Sequence, residues 1–313
     1  MALPEAFIAR FARIYPDEAE ELLPLFEAPR PVSFRLNPLK ADRQKTLEAL
    51  QQEGFDLSPV AWYADAYTVP YDQRDALTRS PHFENGAIYI QSLSSMLAPL
   101  ALDPKPGETV LDLAAAPGGK SLMMAAMMRN EGWLSVVEPG RDRFFRLKAN
   151  LERGGVTIAH HYMTDGRSVG AKCPAMFDRV MLDAPCSTEA KFKSFDPKTT
   201  AYWSERKIKE MARLQFRLLL SAYKSLKPGG TLLYATCSFA PEENEAVIDK
   251  ALDRLEDMEV LPLNLPITNT RPGLPAWGKK GFDKRVARTM RILPNQTMEG
   301  FYLALLRKTE ETT

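Results

Sequence analysis

Apolar residues along the chain follow two different rhythms, and the change between them divides it. Phe7, Ile8, Phe11 and Ile14 recur at the spacing of one helix face. A second short helix is expected after Pro16-Asp17, with Leu22, Leu23 and Phe26 on its apolar side, until Pro29 and Pro31 break the pattern. Val32 to Leu36 alternates like a strand, and Asp42 is placed to cap a helix that stops at Gly54. Residues 1–84 therefore read as a small α/β module. Tyr63 to Tyr89, rich in turn residues, reads as the segment that joins it to residues 85–313.

From about Gly86 strands and helices alternate, which predicts an α/β domain with a mostly parallel sheet and helices on both faces. Strands are expected at Thr109–Leu113, Trp133–Val137, Thr157–Tyr162, Phe177–Leu182 and, after the Gly229-Gly230 turn, Thr231–Ala235. Helices are expected from Gly118, over Arg141–Arg153, over Ser204–Leu226 and after Pro241, Glu242 and Glu243. Phe301 to Leu306 is apolar enough for a central or penultimate strand. Met123, Met124, Met127 and Met128 are helix-spaced and read as core packing.

Composition narrows the class. A chain of 313 residues can bury one large core and a small one. A formal net charge of +1 advertises no polyanionic partner, so any nucleic acid must be met by local patches. Three cysteines, Cys173, Cys186 and Cys237, are odd in number and lack paired metal spacing. That speaks against a disulfide framework or a metal site and for a reducing compartment. Arg10, Arg13 and several acids interrupt the first apolar residues, so no signal peptide is expected, and the apolar run Leu122–Met128 is too short to span a bilayer. The expectation is a soluble cytoplasmic monomer with no membrane and no obligatory protein partner.

In open α/β sheets the ligand crevice lies beyond the carboxyl ends of the strands. Asp112, Glu138, Asp165 and Asp183 fall there, at the ends of four successive strands. Such a row repels phosphate and favours a ligand with hydroxyls, an amine and a positive charge. The loop after the first strand is Ala114-Ala115-Ala116-Pro117-Gly118-Gly119-Lys120, small enough for a close backbone approach. Glu138 lies 20 residues beyond Gly118, the spacing of a ribose-binding acid. These features fit S-adenosylmethionine better than NAD. A nucleotide-phosphate loop ending in Gly119-Lys120-Ser121 is disfavoured, because Ala114 stands where it needs glycine and Pro117 removes a backbone donor.

Cys186, in Asp183-Ala184-Pro185-Cys186-Ser187, follows the fourth strand, and Cys237, in Thr236-Cys237-Ser238, follows the fifth. Neighbouring strands sit about 4.8 Å apart, so both thiols are expected in one crevice. Cys173 reads as an ordinary buried cysteine. A thiolate beside a methyl donor suits cytosine carbon 5, which attacks a methyl group only after a nucleophile has added to carbon 6. Asp183 is a candidate to hydrogen-bond nitrogen 3 or the amino group of such a base. Spacing alone leaves open which cysteine attacks.

These stretches, together with Gln91 to Ser95, Pro241 to Glu245 and Gly300-Phe301-Tyr302, resemble the Sun (Fmu)-type RNA 5-methylcytosine methyltransferases over residues 30–308. The resemblance implies a seven-stranded Rossmann-like methyltransferase domain with a small amino-terminal, RNA-recognition-like α/β domain. It implies S-adenosylmethionine held by Ala114, Ala115, Ala116, Pro117, Gly118, Gly119, Lys120, Glu138, Arg143, Asp165 and Asp183. It makes Cys237 the nucleophile and Cys186 the group that assists release of product, whereas DNA cytosine methyltransferases use the cysteine of a Pro-Cys pair. It implies an RNA substrate, ribosomal ahead of transfer RNA. Ala114, Glu189, Ala190 and Asn295 depart from the family's usual residues.

Two segments carry cations suited to RNA. Lys191-Phe192-Lys193-Ser194-Phe195, with Tyr202 and Trp203 beyond, mixes charge with aromatic rings beside the cysteine loop. Lys279, Lys280, Lys284, Arg285, Arg288 and Arg291 form a second basic stretch opposed only by Asp283, which an ordinary charged surface explains as well. His82, His160 and His161 offer no base or metal site, and the last two point to opposite faces of their strand.

Overall fold

The computed structural model describes residues 3–310. Helices α1 (Glu5–Ile14) and α2 (Ala19–Leu22) come first, as their apolar spacing predicts. A four-stranded antiparallel sheet follows, built from β1 (Val32–Leu36), β2 (Ser58–Pro59), β3 (Ala66–Val69) and β4 (Ile88–Ile90) in the order β2-β3-β1-β4. Helix α3 (Arg43–Gln52) crosses between β1 and β2, capped by Asp42, whose Oδ1 accepts from Lys45 N at 2.9 Å.

Residues 63–89 are more than a joining segment. They supply β3, α4 (Arg74–Arg79), α5 (Pro81–Glu84) and β4. Tyr67, Val69, Leu77 and Ile88 close a core with Phe34, Leu36 and Leu50. Frequent prolines and turn residues hide this short alternation. Because β4 pairs with β1, the small sheet runs to Ile90, past the boundary expected at residue 84.

Helices α1 and α2 lie elsewhere. Phe7, Phe11 and Phe26 pack with Phe192, Phe239 and Leu293 of the larger unit. Ring centroids are 4.9 Å apart for Phe7–Phe192 and 5.0 Å for Phe11–Phe239. The amino terminus is therefore part of the larger unit's core.

The large sheet has a parallel centre of β5 (Thr109–Asp112), β6 (Trp133–Val137), β7 (Ala159–Tyr162), β8 (Phe177–Asp183) and β9 (Leu226–Thr236). Side chains alternate across it. Val110, Leu134, Val136, Met181 and Leu233 face α6 (Leu93–Leu102), α7 (Gly119–Met127) and α8 (Arg141–Arg153). Leu111, Val137, Leu182 and Tyr234 face α9 (Val169–Lys172), α10 (Glu205–Ser225) and α11 (Glu245–Leu252). Met123, Met124 and Met128 are fully buried core, as their spacing predicts.

Four further strands complete the sheet: β10 (Met258–Leu261), β11 (Thr270–Pro272), β14 (Met290–Ile292) and β15 (Phe301–Lys308), with β12 (Ala276–Trp277) and β13 (Lys280–Gly281) forming a separate small hairpin. β15 runs antiparallel beside β9, the inner position its apolar sequence predicts. The sheet holds nine strands where seven are expected. β10 and β14 share the outer edge of β15 end to end, and β11 pairs outside β14. These strands are too short to announce themselves by alternation. β9 also starts before the Gly229-Gly230 pair, since Leu226 already sits opposite Phe177. A Cβ on Gly230 would lie 2.9 Å from Lys227 O and 3.0 Å from Asp178 O, so glycine lets the irregular strand pass. Among the described residues no helix is long and apolar enough to cross a membrane.

Candidate active site

The carboxyl ends of β5, β8 and β9 open into a cleft of about 480 Å³. β5 ends on Asp112, which is buried. Its Oδ2 accepts from Ser121 Oγ at 2.6 Å, while its Oδ1 is buried without a partner. Burial pushes this carboxyl up to about 6. The chain then passes Ala114, Ala115, Ala116 and Pro117, all on the cleft wall, and enters α7 at Gly119. Gly118 has φ +110°, and a Cβ on Gly119 would lie 2.8 Å from Tyr89 Cε1. The second glycine is thus required by the small unit pressing on the loop.

Arg35, fully buried on β1, makes the same connection. Its Nε donates to Gln91 Oε1 and its Nη2 to Gly119 O, each at 3.0 Å. Burial lowers its guanidinium to about 10. The central strand of the small sheet therefore fixes the first turn of α7.

Lys120 Nζ donates to Asp183 Oδ2 and to Ser95 Oγ, both at 2.6 Å. Asp183, at the end of β8, is thus half-engaged by a cation. Glu138 is buried at the end of β6, where its Oε1 accepts from Gly140 N at 2.8 Å. Arg143 Nη2 stands 3.4 Å from Glu138 Oε2 and donates to Ala116 O at 3.0 Å. Asp165 instead closes on Arg167, a pair that holds its carboxyl below the usual range, and it caps the turn Gly166–Ser168. Of the expected cofactor residues, Gly118, Glu138 and Asp165 do not line the cleft.

The two thiols meet as the parallel register requires. Asp183 sits opposite Ala235, and just beyond them Cys186 Sγ and Cys237 Sγ are 2.8 Å apart and unbonded. The serine after each cysteine turns inward to one buried acid, Glu243. Its Oε2 accepts from Ser187 N at 2.9 Å and from Gln215 Nε2 at 2.8 Å. Its Oε1 accepts from Ser238 Oγ at 2.8 Å and from Ser187 Oγ. A second buried acid, Glu189, accepts from Ser238 Oγ at 3.1 Å and Phe239 N at 2.9 Å. Burial and the nearby Glu189 push Glu243 up to about 7.

The thiols are electrostatically unlike. The hydrogen bond between them and burial raise Cys186 well above a free thiol. The hydrogen bond from Cys186 lowers Cys237, assisted by the Lys191 ammonium. Ala190 N donates to Cys237 O at 3.0 Å, which ties the Lys191 segment to the fifth strand's exit. Cys237 is the thiol poised to ionise.

The basic segments divide differently from their sequence. Lys191 lines the cleft, Phe195 and Tyr202 are exposed, and Phe192 is buried in the amino-terminal core. In the second stretch Arg291 is fully buried against Glu245, Lys280 pairs with Asp249, and Arg285 pairs with Asp283. Lys279 and Lys284 of that stretch are exposed, with no side-chain partner among the described residues. Glu243 falls in the stretch Pro241 to Glu245 that carries the resemblance, but reads there only as a helix opener and not as the hub of the cysteine loops. Glu189, Gln215 and Arg35 are equally silent, because their partners lie far away along the chain.

Residues 99–307 match the family model described as 16S rRNA methyltransferase RsmB/F, and residues 3–93 match the N-terminal domain of 16S rRNA methyltransferase RsmF. A tRNA (cytosine(49)-C(5))-methyltransferase of Pyrococcus abyssi is 40% identical, covering 96% of this chain and 95% of its own. Ribosomal RNA small subunit methyltransferase F of Escherichia coli is 36% identical over 98% of this chain, which spans 64% of that relative's length. The solved structure of a methyltransferase homolog from Pyrococcus horikoshii superposes with a TM-score of 0.84 at 35% identity, covering 98% of this chain and 96% of its own. NSun6 from Pyrococcus horikoshii, at 21% identity over 98% of this chain and 99% of its own, has the same fold with a TM-score of 0.82. The chain therefore belongs to the RsmB/F methyltransferase family, with an RsmF-type amino-terminal domain, and its cofactor is S-adenosylmethionine.

Proposed function

We propose that this protein methylates carbon 5 of a cytosine in RNA through a covalent adduct on Cys237. The observation that carries the reading is the thiol pair in the cleft: Cys186 Sγ and Cys237 Sγ stand 2.8 Å apart, both line the cleft beside Asp183 and Lys191, and the hydrogen bond from Cys186 with the Lys191 ammonium lowers Cys237. On the cleft wall Ala114 to Pro117, Gly119, Lys120, Arg143 and Asp183 would hold the cofactor, with Glu138 behind them against Arg143, and its sulfonium would supply an electrophilic methyl group. The unpartnered Oδ1 of buried Asp112 offers an acceptor to a ligand rich in hydroxyl and amine donors. Asp165, engaged by Arg167, is the member of the cofactor set that the geometry supports least.

The thiolate of Cys237 adds to carbon 6, which makes carbon 5 a nucleophile. Lys120 occupies Asp183 Oδ2, which leaves Oδ1 to accept from the cytosine amino group and orient the ring. After carbon 5 is methylated, its proton passes to solvent in the open cleft, the C–H electron pair forms the carbon 5–carbon 6 double bond, and the sulfur–carbon 6 bond breaks with its pair returning to Cys237. Cys186, protonated and in contact with Cys237, assists this release. The target base must leave its stack to reach the thiols.

The small four-stranded unit, residues 32–90, is the RNA-positioning part of the molecule in this reading. The relative matched over 95% of its length is named for transfer RNA, and the Escherichia coli relative for ribosomal RNA. Both are therefore assayed, with RNA from cells lacking the protein and labelled S-adenosylmethionine. Label is expected in 5-methylcytidine after digestion to nucleosides. Cys237→Ala is expected to lower the rate by about 10³-fold or more, and Cys186→Ala to trap protein on RNA. Label in another nucleoside, or full activity in Cys237→Ala with none in Cys186→Ala, overturns the assignment.

A further inference from the structure

Away from the cleft, α10 and the turn Gly166–Ser168 border a shallow groove. It consists of two adjoining depressions of about 490 and 420 Å³ that share Arg167 and Arg217. Lys224 lines one, and Arg213 with Glu210 the other. Lys209, Arg213, Arg217 and Lys224 are exposed and recur along one face of α10. Among the described residues, none of these four side chains has a hydrogen-bonding or ion-pair partner. The nearby acids are already engaged, Glu210 by Arg206 at 3.1 Å and Asp165 by Arg167.

The opposite face of the same helix reaches the cysteine loop. Gln215, between Arg213 and Arg217 in sequence, donates to Pro185 O at 2.8 Å and to Glu243 Oε2. Residues two apart on a helix point to opposite sides, so the groove lies about one helix diameter, 10–12 Å, behind the loop that carries Cys186. Arg213 to Lys224 spans about 17 Å along the axis.

We infer that this groove binds the phosphate backbone of a base-paired flank of the substrate RNA, as a second contact separate from the cleft. The inference rests on the RNA reading above. Guanidinium forks match phosphate oxygens, and no aromatic ring lines the groove, so it grips backbone and stacks no base. The contact is therefore blind to sequence and sensitive to salt. With a net charge of only +1 a polyanion must be met by a local patch, and four unpaired cations on one helix face supply one, whereas Lys280, Arg285 and Arg291 of the 279–291 stretch are held by acids.

The test compares wild type with Arg213→Gln/Arg217→Gln, and with each single substitution, on two substrates. One is a full-length structured RNA. The other is a short single-stranded oligonucleotide holding the same cytosine. The double variant is expected to raise KM for the structured RNA about tenfold and to lower the slope of log affinity against log salt by about 2, one for each phosphate no longer neutralised. Cofactor affinity, melting temperature and KM for the oligonucleotide are expected to stay unchanged. Equal KM and equal salt slope on the structured RNA overturn the groove while leaving the methyltransferase reading intact. Fluorescence anisotropy with the same RNA separates the converse. If neither protein transfers methyl but the variant binds RNA more weakly with a shallower slope, the groove stands and the cytosine reading fails.

Discussion

A single buried carboxylate sets the geometry of the two thiols. Glu243 accepts from Ser187 and Ser238, the residues that follow Cys186 and Cys237, so it holds both chain exits in one place. Its cost is visible in its proton affinity. Raised from 4.5 to about 7, Glu243 keeps a proton in the folded state that the unfolded chain gives up between those values. Stability attributable to this group therefore falls as pH rises through that window, by up to about 3 kcal/mol, and is flat above it. Glu243→Gln cannot titrate. Its unfolding free energy, measured in urea from pH 5 to 8, is expected to gain on wild type across that range; a constant gap between the two would refute the assignment. A second residue-scale prediction concerns the thiols. Cys186 lowers Cys237 by hydrogen bonding, so Cys186→Ala is expected to slow alkylation of Cys237 by iodoacetamide near neutral pH. Unchanged alkylation would place the activation in Lys191 alone.

At the scale of elements, the loop of residues 114–120 proposed to hold the cofactor is held from outside its own domain. β1 delivers Arg35 to Gly119 O and Gln91, and Tyr89 packs against Gly119. Arg35→Ala leaves the carbonyl at the start of α7 and the Gln91 amide without their partner, which costs about 1–3 kcal/mol per buried group. Calorimetry is expected to show weaker cofactor binding, about tenfold, while alkylation of Cys237 stays the same, since that thiol is governed by Cys186 and Lys191. Equal cofactor affinity would show that the loop holds itself. This arrangement also marks the limit of legibility. The parallel strands and their helices are readable because short apolar runs of strand length alternate with longer helix-spaced segments. The acids and cysteines are readable because strand ends define a crevice. β3, β4, β10, β11 and β14 carry three or four residues each and fall outside the strand–helix rhythm that marks the equally short β5 and β7. Arg35, Glu189 and Glu243 meet their partners only after folding: Ser187 and Glu243 are 56 residues apart.

For the whole molecule, the amino-terminal helices decide whether it behaves as one unit or two. Phe7, Phe11 and Phe26 pack on Phe192 and Phe239, which follow Lys191 and Cys237 by one and two residues. Arg291, fully buried, joins Glu245 at 2.5 Å to the hydroxyl of Tyr15 at 3.0 Å, and Arg10 reaches Glu242 at 2.6 Å. A segment that reads as the start of a separate module thus forms the back wall of the cysteine site, while the cofactor loop belongs to a different core. Phe11→Ala opens a cavity in that wall and is expected to destabilise the protein by about 3–5 kcal/mol. Its thermal unfolding is expected to remain one transition, shifted down, because the helices have no core apart from the catalytic domain. Below that transition, kcat is expected to fall while cofactor affinity holds, since Phe239 and Phe192 lie in the core beside the thiol and the lysine, whereas Ala115 and Ala116 of the loop lie in another. A first transition confined to the amino terminus, with kcat unchanged, would mean that the helices merely rest on the domain and that the cysteine site keeps its shape without them.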